Sequence, residues 1–478
     1  MGAWWVRFGE DVFVYAADSK WRSVADSLGR ADPEGDVRKG DMHLVVQKGR
    51  VFQLENPDVP VLMDKGRFLV VELDSATAKR LGKRDEPCFH IEPLRENSVV
   101  FETLAPKARS APASAVVRIV EDLSRATLEK SLSKLVSFRT RHSLSAEFQD
   151  AATWARDRLT EYGMTTDLVE IDVAGRTSLN VVGRKPGTGT DKQAVLVVAH
   201  LDSVNAVDGP DAPAPGADDN ASGSAGLLVL AEAMGKRNFD HDLIFILFGG
   251  EEQGLHGSVQ YVSTLDTAER DRIKAVLNMD MIGTINSDPQ SVLLEGADLS
   301  QSMIYGLATA AAQVTSLSVQ TSLNPFASDH VPFIRAGIPA VLTIEGADSA
   351  NDSIHTADDI LSHVNPGFSM EILRMNAAYL AIEAGIATDA PVAEPEPAGQ
   401  PVGGCSCGCT GLGDALSADE IARTNQLAAH YQALFAQYAR LHNEGKLTHF
   451  DFTQWQQARA AYSTAMAAAG RGGAPGQW

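Results

Sequence analysis

The strongest constraint on the fold of this 478-residue chain is a pattern repeated between residues 190 and 360. A short apolar, β-branched run ends on, or shortly before, a histidine or an acidic residue. AVLVVA precedes His200, DLIFILFG precedes Glu251 and Glu252, KAVLNM precedes Asp280, and PAVLTIE lies shortly before His355. Such runs read as buried strands, and helical patterns such as 222–234 and 300–312 lie between them. The alternation predicts an α/β fold: a mixed, largely parallel sheet flanked by helices. In open α/β sheets the ligand crevice lies beyond the carboxyl ends of the strands. These side chains are therefore expected to converge there.

The converging set has a definite chemistry. It comprises His200 in VAHLDS, Asp219 in PGADDNASG, Glu251 and Glu252 in FGGEEQGLHGS, Asp280 in LNMDMIG and His355 in SIHTADD. Two imidazoles and three carboxylates can hold a pair of zinc ions, one carboxylate bridging them and one glutamate left over to move protons. An HxD or an EE pair alone is usually a solvated loop feature; the ordered set on strand ends points to hydrolysis. Metal-bound histidines usually donate their second ring nitrogen to a carboxylate or carbonyl. Asp202 is the natural partner of His200, Asp358 or Asp359 can serve His355, and Asp329 is expected behind the site. Asp218 reads as a turn former, and His241, His256 and His330 as polar surface or loop residues. Gly216, Gly223 and Gly226 suit tight turns and close packing, since no phosphate-binding pattern surrounds them.

Together with the strings NVVGRKPG, GSVQY and SDHVPFIRAGIPA, these motifs resemble the M28 family of zinc aminopeptidases and related co-catalytic metallopeptidases over about residues 135–387. The resemblance implies a zinc exopeptidase-like fold with two Zn2+ per chain. Glu252 and His355 would hold one ion, His200 and Asp280 the other, and Asp219 would bridge them. Glu251 would be the general base, and the peptide bond after Asp219 would be cis. The implied reaction is hydrolysis of peptides, most directly release of amino-terminal residues; carboxypeptidase or dipeptidase activity on the same metals is the alternative. A glutaminyl cyclase uses a single zinc, which fits poorly with both ligand pairs retained, and an inactive binding protein fits poorly with Glu251 intact. Two dications against Asp219, Glu252 and Asp280 leave about one net positive charge, which favours hydroxide over water near neutral pH. Glu251 can take the released proton and deliver it to the leaving amine.

The remainder of the chain reads as added parts. Residues 1–115 carry short strand-like runs broken by Gly, Pro and Asp, which predicts a small, separate β-rich domain ending in the flexible junction PKARSAPASA. Such a domain could be an inhibitory or chaperoning prosegment or a passive accessory. The peptidase domain is expected over 116–387, a Pro/Gly/Cys-rich linker over 388–416, and a helical hairpin over 417–478 opened by the capping box of Ser417 and Glu420. Hairpin residues such as Leu427, Tyr431, Leu434 and Trp455 need burial, which points to docking or self-association. Cys405, Cys407 and Cys409 are spaced too tightly for an ordinary four-cysteine zinc site, and exposed thiols are the expectation. A net charge of -21 argues against nucleic acid or an anionic membrane as partner. No apolar run reaches the roughly 20 residues that span a bilayer, and MGAWWVRFGEDVFVY lacks the pattern of a signal peptide. A cytoplasmic location follows as the expectation.

Overall fold

The structure is a computed structural model that describes residues 4–15, 38–82, 89–104, 111–190 and 192–386. The chain divides into two compact units, Met1–Pro391 and Val392–Trp478. The expected linker at 388–416, the hairpin at 417–478 and all four cysteines lie outside the described residues.

The amino-terminal segment contributes β1 (Trp4–Phe8), β2 (Asp11–Tyr15), β3 (Met42–Gln47), α1 (Val51–Glu55), β4 (Val61–Lys65), β5 (Phe68–Glu72), α2 (Ser75–Leu81), β6 (Phe89–Pro93) and β7 (Ser98–Leu104). Helices α3 (Ser114–Glu121), α4 (Arg125–Val136) and α5 (Ala146–Glu161) lead to the hairpin β8 (Thr165–Val173) and β9 (Arg176–Lys185). Then come β10 (Ala194–His200), α6 (Ala221–Gly235), β11 (Asp242–Phe248), α7 (His256–Thr264), α8 (Thr267–Arg272) and β12 (Ile273–Met279). The unit closes with β13 (Ser291–Glu295), α9 (Gln301–Val314), β14 (Ser318–Ser322), α10 (His330–Arg335), β15 (Ala340–Glu345) and α11 (Pro366–Glu383).

One 11-stranded sheet runs in the order β2-β1-β7-β14-β13-β15-β12-β10-β11-β9-β8. Its centre, β15-β12-β10-β11, is parallel, as the alternation of strands and helices requires. Antiparallel pairs at β11/β9, β15/β13 and β14/β7 make the whole sheet mixed. Central strands are apolar without alternation because both faces are covered: every residue of β10 is buried. One face carries α4, α5, α6, α9 and α11 over the largest core, in which α6 is buried nearly all round. The other face holds a smaller core to which Val262 of α7 and Phe333 of α10 contribute.

The expected separate amino-terminal domain is corrected here. Strands β1, β2 and β7 belong to the main sheet, with β7 antiparallel to β14 through pairs such as Val319 with Leu104 and Ser322 with Phe101. Strands β3 to β6 form a second, four-stranded sheet of order β4-β5-β3-β6. One of its faces places Met42, Leu44, Val46, Phe68 and Val70 in a common core with Met281, Leu293, Phe326, Leu342, Ile344 and Ile354. Its other face packs Val45, Leu69, Val71 and Phe89 against Phe52 of α1 and Ala78 of α2. The runs MHLVVQ and RFLVVEL are apolar at consecutive positions because both faces of β3 and β5 are covered. Arg67 fastens this sheet to the rest: its Nε and Nη2 each donate to Glu295 at 3.1 Å, and its Nη1 donates to Asp348 at 2.9 Å.

Candidate metal centre

Each proposed ligand sits where the backbone leaves the parallel sheet. His200 is the last residue of β10 and Asp280 follows the last residue of β12. Glu251 and Glu252 come just after β11, and Asp219 lies two residues before α6. His355 stands in the loop after β15 at φ 58°, a region disfavoured for residues with a Cβ. Its carbonyl accepts from the Ala206 amide at 2.9 Å, which ties this loop to the one after β10.

The side chains meet as two halves joined by Asp219. His200 Nε2 lies 3.2 Å from Asp219 Oδ1 and 3.3 Å from Asp280 Oδ1. His355 Nε2 lies 3.1 Å from Asp219 Oδ2 and 3.0 Å from Glu252 Oε2. The two oxygens of Asp219 thus face different imidazoles. Both of them, together with Glu252 Oε1 and His355 Nε2, are buried without a hydrogen-bond partner. Buried polar atoms left in this state are costly unless something else takes their lone pairs. A divalent cation in each half does so, and the donor set of imidazole and carboxylate suits zinc. The residues present therefore fit the expected ion pair.

Surrounding residues hold these groups in place. His200 Nδ1 lies 3.2 Å from the Asp202 carbonyl and 3.6 Å from its carboxylate. The Asp202 carboxylate accepts the amides of Glu251 at 3.3 Å and Glu252 at 3.2 Å, so one side chain orients both halves. Asp359 accepts the amides of Asp218 and Asp219 at 2.9 and 3.0 Å, a role at the bridging loop rather than at His355. Asp218 behaves as a loop organiser: its Oδ1 accepts from the Gly283 amide at 2.9 Å and its Oδ2 from Asn351 at 2.8 Å. The Asp219–Asn220 peptide bond is cis, as the resemblance implies. Asn220 caps α6, accepting the Gly223 amide at 2.9 Å. Gly216 has φ 49°, and a Cβ there would lie 2.4 Å from the Asp219 carbonyl oxygen. Asp329 is fully buried, and burial raises its carboxyl to about 7. His330 is also buried, 3.5 Å from Glu295, which corrects its expected surface or loop role.

Several site residues had no signal in the sequence. Ser328 donates to Asp280 Oδ2 at 2.7 Å and accepts from Asn278 at 2.8 Å; its place at the head of the SDH string was the only hint. Arg141, fully buried, donates to the carbonyls of Leu201 and Gly216, both at 2.9 Å, and so braces the loops that carry His200 and Asp219. Lys48 was invisible. It comes from the turn after β3, and its Nζ reaches Glu251 Oε1 at 3.2 Å and Asp280 Oδ2 at 3.6 Å.

Electrostatics follow from this crowding. Burial pulls the Lys48 ammonium down, but Glu251, Asp280, Asp219 and Glu252 together hold it well above its ordinary value. Burial likewise opposes charge on both imidazoles, yet Glu251 and Asp280 raise His200, and Glu252 and Asp219 raise His355, well above the usual histidine range. For Asp280, burial pushes upward, and Lys48 and His200 outweigh it, leaving the carboxyl at about 2.

Residues 180–380 match the profile of Peptidase family M28, a span that contains all five candidate ligands and Glu251. The resemblance read from the motifs is thereby borne out over that span. Aminopeptidase YwaD of Bacillus subtilis is 31% identical over 194 residues, covering 40% of this chain and 41% of that protein. Leucine aminopeptidase 1 of Aspergillus niger is 28% identical over 289 residues, covering 56% and 72%. Among solved structures, the LapA aminopeptidase of Legionella pneumophila superposes with a TM-score of 0.52 at 20% identity, over 72% of this chain and 98% of that one, a likeness of fold.

Proposed function

We propose that this chain is a dizinc exopeptidase that releases amino-terminal residues from peptides. The observation that carries this reading is the Asp219 carboxylate, whose two oxygens each face a different imidazole and lack any other partner. His200 and Asp280 would hold one ion, Glu252 and His355 the other, with Asp219 shared. When bound, the zinc pair would polarise the scissile carbonyl and acidify the attacking water. Retention of both ligand pairs supports two ions over the single zinc of a glutaminyl cyclase.

The chain's own residues supply the proton transfer. Burial raises the Glu251 carboxyl well above its ordinary range, with Lys48 and His200 opposing that rise. A carboxylate so tuned can take a proton near neutral pH and return it to the departing amine. Glu251 Oε2 faces the centre, 4.0 Å from His200 Nε2. Asp202 fixes the backbone of Glu251 and Glu252 at once, so base and ligand keep a constant separation. The family names of the similar aminopeptidases support release of amino-terminal residues over carboxypeptidase or dipeptidase action.

An assay panel tests this directly. Free-amino dipeptides and aminoacyl anilides should be hydrolysed, their acyl-blocked counterparts should not, and chelation should abolish turnover until zinc is restored. Equal hydrolysis of blocked peptides would refute an aminopeptidase, and one zinc per chain at full activity would refute the dinuclear centre.

A further inference from the structure

We propose that Lys48, delivered by the amino-terminal segment, is a positioning residue that fixes the carboxylate of Glu251 for its work as general base. This rests on the metallopeptidase reading above. Glu251 Oε2 and Asp280 Oδ1 turn toward His200 Nε2, at 4.0 and 3.3 Å. Lys48 Nζ contacts the opposite oxygen of each, Glu251 Oε1 at 3.2 Å and Asp280 Oδ2 at 3.6 Å. Ser328 donates to that same outer oxygen of Asp280 at 2.7 Å. The ammonium thus stands behind the two carboxylates, bracing them, and leaves the oxygens that face the imidazoles free for ions and water. A lysine standing in for a metal ion would contact the inward oxygens instead.

Lys48 is also built into place. Its side chain is 7% exposed, where an unpaired ammonium is strongly disfavoured. The preceding residue, Gln47, is fully buried: its amide nitrogen side chain donates to the Gly66 carbonyl at 2.8 Å, and its Oε1 accepts the Phe52 amide at 3.1 Å. The Gln47 backbone amide donates to the Arg67 carbonyl at 2.9 Å, next to the guanidinium paired with Glu295 and Asp348. The following residue, Gly49, has φ 51°, and a Cβ there would come within 3.3 Å of Ile354, the neighbour of His355. The turn is pinned on both sides, so the ammonium has one position. Glu251 has no other side-chain cation at hydrogen-bond distance among the described residues. Without Lys48, its Oε1 loses the contact that selects one rotamer.

The test compares Lys48→Met and Lys48→Arg with the parent and with Glu251→Gln, all in the full chain. Zinc content, zinc affinity by chelator competition, melting temperature, kcat and KM are measured for each. Lys48→Met should still bind two zinc ions, keep KM, and lose kcat by roughly 10–100-fold, the usual effect of removing a group that orients a site residue. Lys48→Arg, which keeps a cation, should recover part of the loss. In the Glu251→Gln background, Lys48→Met should cost nothing further, because the residue acts through that carboxylate. A rise in kcat/KM on removing the lysine would overturn the proposal and make Lys48 an inhibitory plug. An equal loss in both backgrounds would overturn it in favour of general structural damage. If Lys48→Met does not fold, Lys48→Gln is read by the same criteria. Full turnover by Glu251→Gln would remove the base assignment itself, whereas an inactive Glu251→Gln beside a fully active Lys48→Met would sink only the role of Lys48.

Discussion

Glu251 and Glu252 are adjacent in sequence but serve opposite sides of the centre, one near His200 and the other 3.0 Å from His355. The common anchor on Asp202 makes that division rigid, so the two positions respond differently to the same change. Glu251→Gln should retain two zinc ions while kcat falls by about 10²–10⁴-fold, the contribution typical of a positioned general base. Glu252→Gln should instead lose one ion, and metal analysis beside turnover separates the two. The imidazoles give a second expectation. Burial lowers both, but the carboxylates prevail and raise His200 and His355 well above the ordinary histidine value, so the ion-free protein favours their protonated forms. Zinc requires neutral imidazole, so binding must expel those protons. Zinc affinity should therefore weaken as pH falls below the raised values, and calorimetry in buffers of different ionisation enthalpy should show proton release. Identical heats in all buffers would contradict this. The ligands themselves were legible in the sequence because each follows a strand end within a short motif. Lys48 was not, since a lysine in a Gly-containing turn ordinarily points to solvent, and only the long-range fold shows otherwise.

Strands and helices of the catalytic half were likewise legible, because a period of two or a continuous apolar run is a local property. What could not be read is which sheet a strand joins. β7 and β3 have similar composition, yet one extends the main sheet and the other seeds a second. Partners far away in sequence make the difference: β7 pairs with β14, while Arg67 ties the second sheet to Glu295 and Asp348, all three side chains nearly inaccessible. Arg67→Met should leave two buried carboxylates uncompensated. A loss of about 3–5 kcal/mol is expected for breaking a buried pair in this way, visible as a lower melting temperature in thermal denaturation. A change within error would show that water or another cation replaces the guanidinium.

At the scale of the molecule, the amino-terminal segment is a structural part of the peptidase unit and not a cap held by its tether. It pairs β7 with β14 and shares a core with residues from Met281 to Ile354. Cutting the chain between Pro106 and Ser110 should leave both fragments together in gel filtration, with no gain in kcat/KM. Removing residues 1–104 outright should expose the edge of β14 and the apolar side chains under the second sheet, producing aggregation. Soluble, faster enzyme after that deletion would restore the prosegment reading.

The span of these contacts sets an order in time. The hydrogen bond from Ser322 to the Val100 carbonyl joins residues 222 apart, and the one from Lys48 to Glu251 joins residues 203 apart. At synthesis rates of about 5–20 residues per second, β7 leaves the ribosome roughly 10–45 s before β14, the strand it pairs with in the main sheet, exists. During that interval Trp4, Val6 and Phe8 lack the part of their core that Phe326, Leu342, Ile344 and Ile354 supply. The amino-terminal segment thus waits for later-made strands before its packing is complete, and a nascent-chain chaperone that shields it over that interval would raise the yield of folded enzyme.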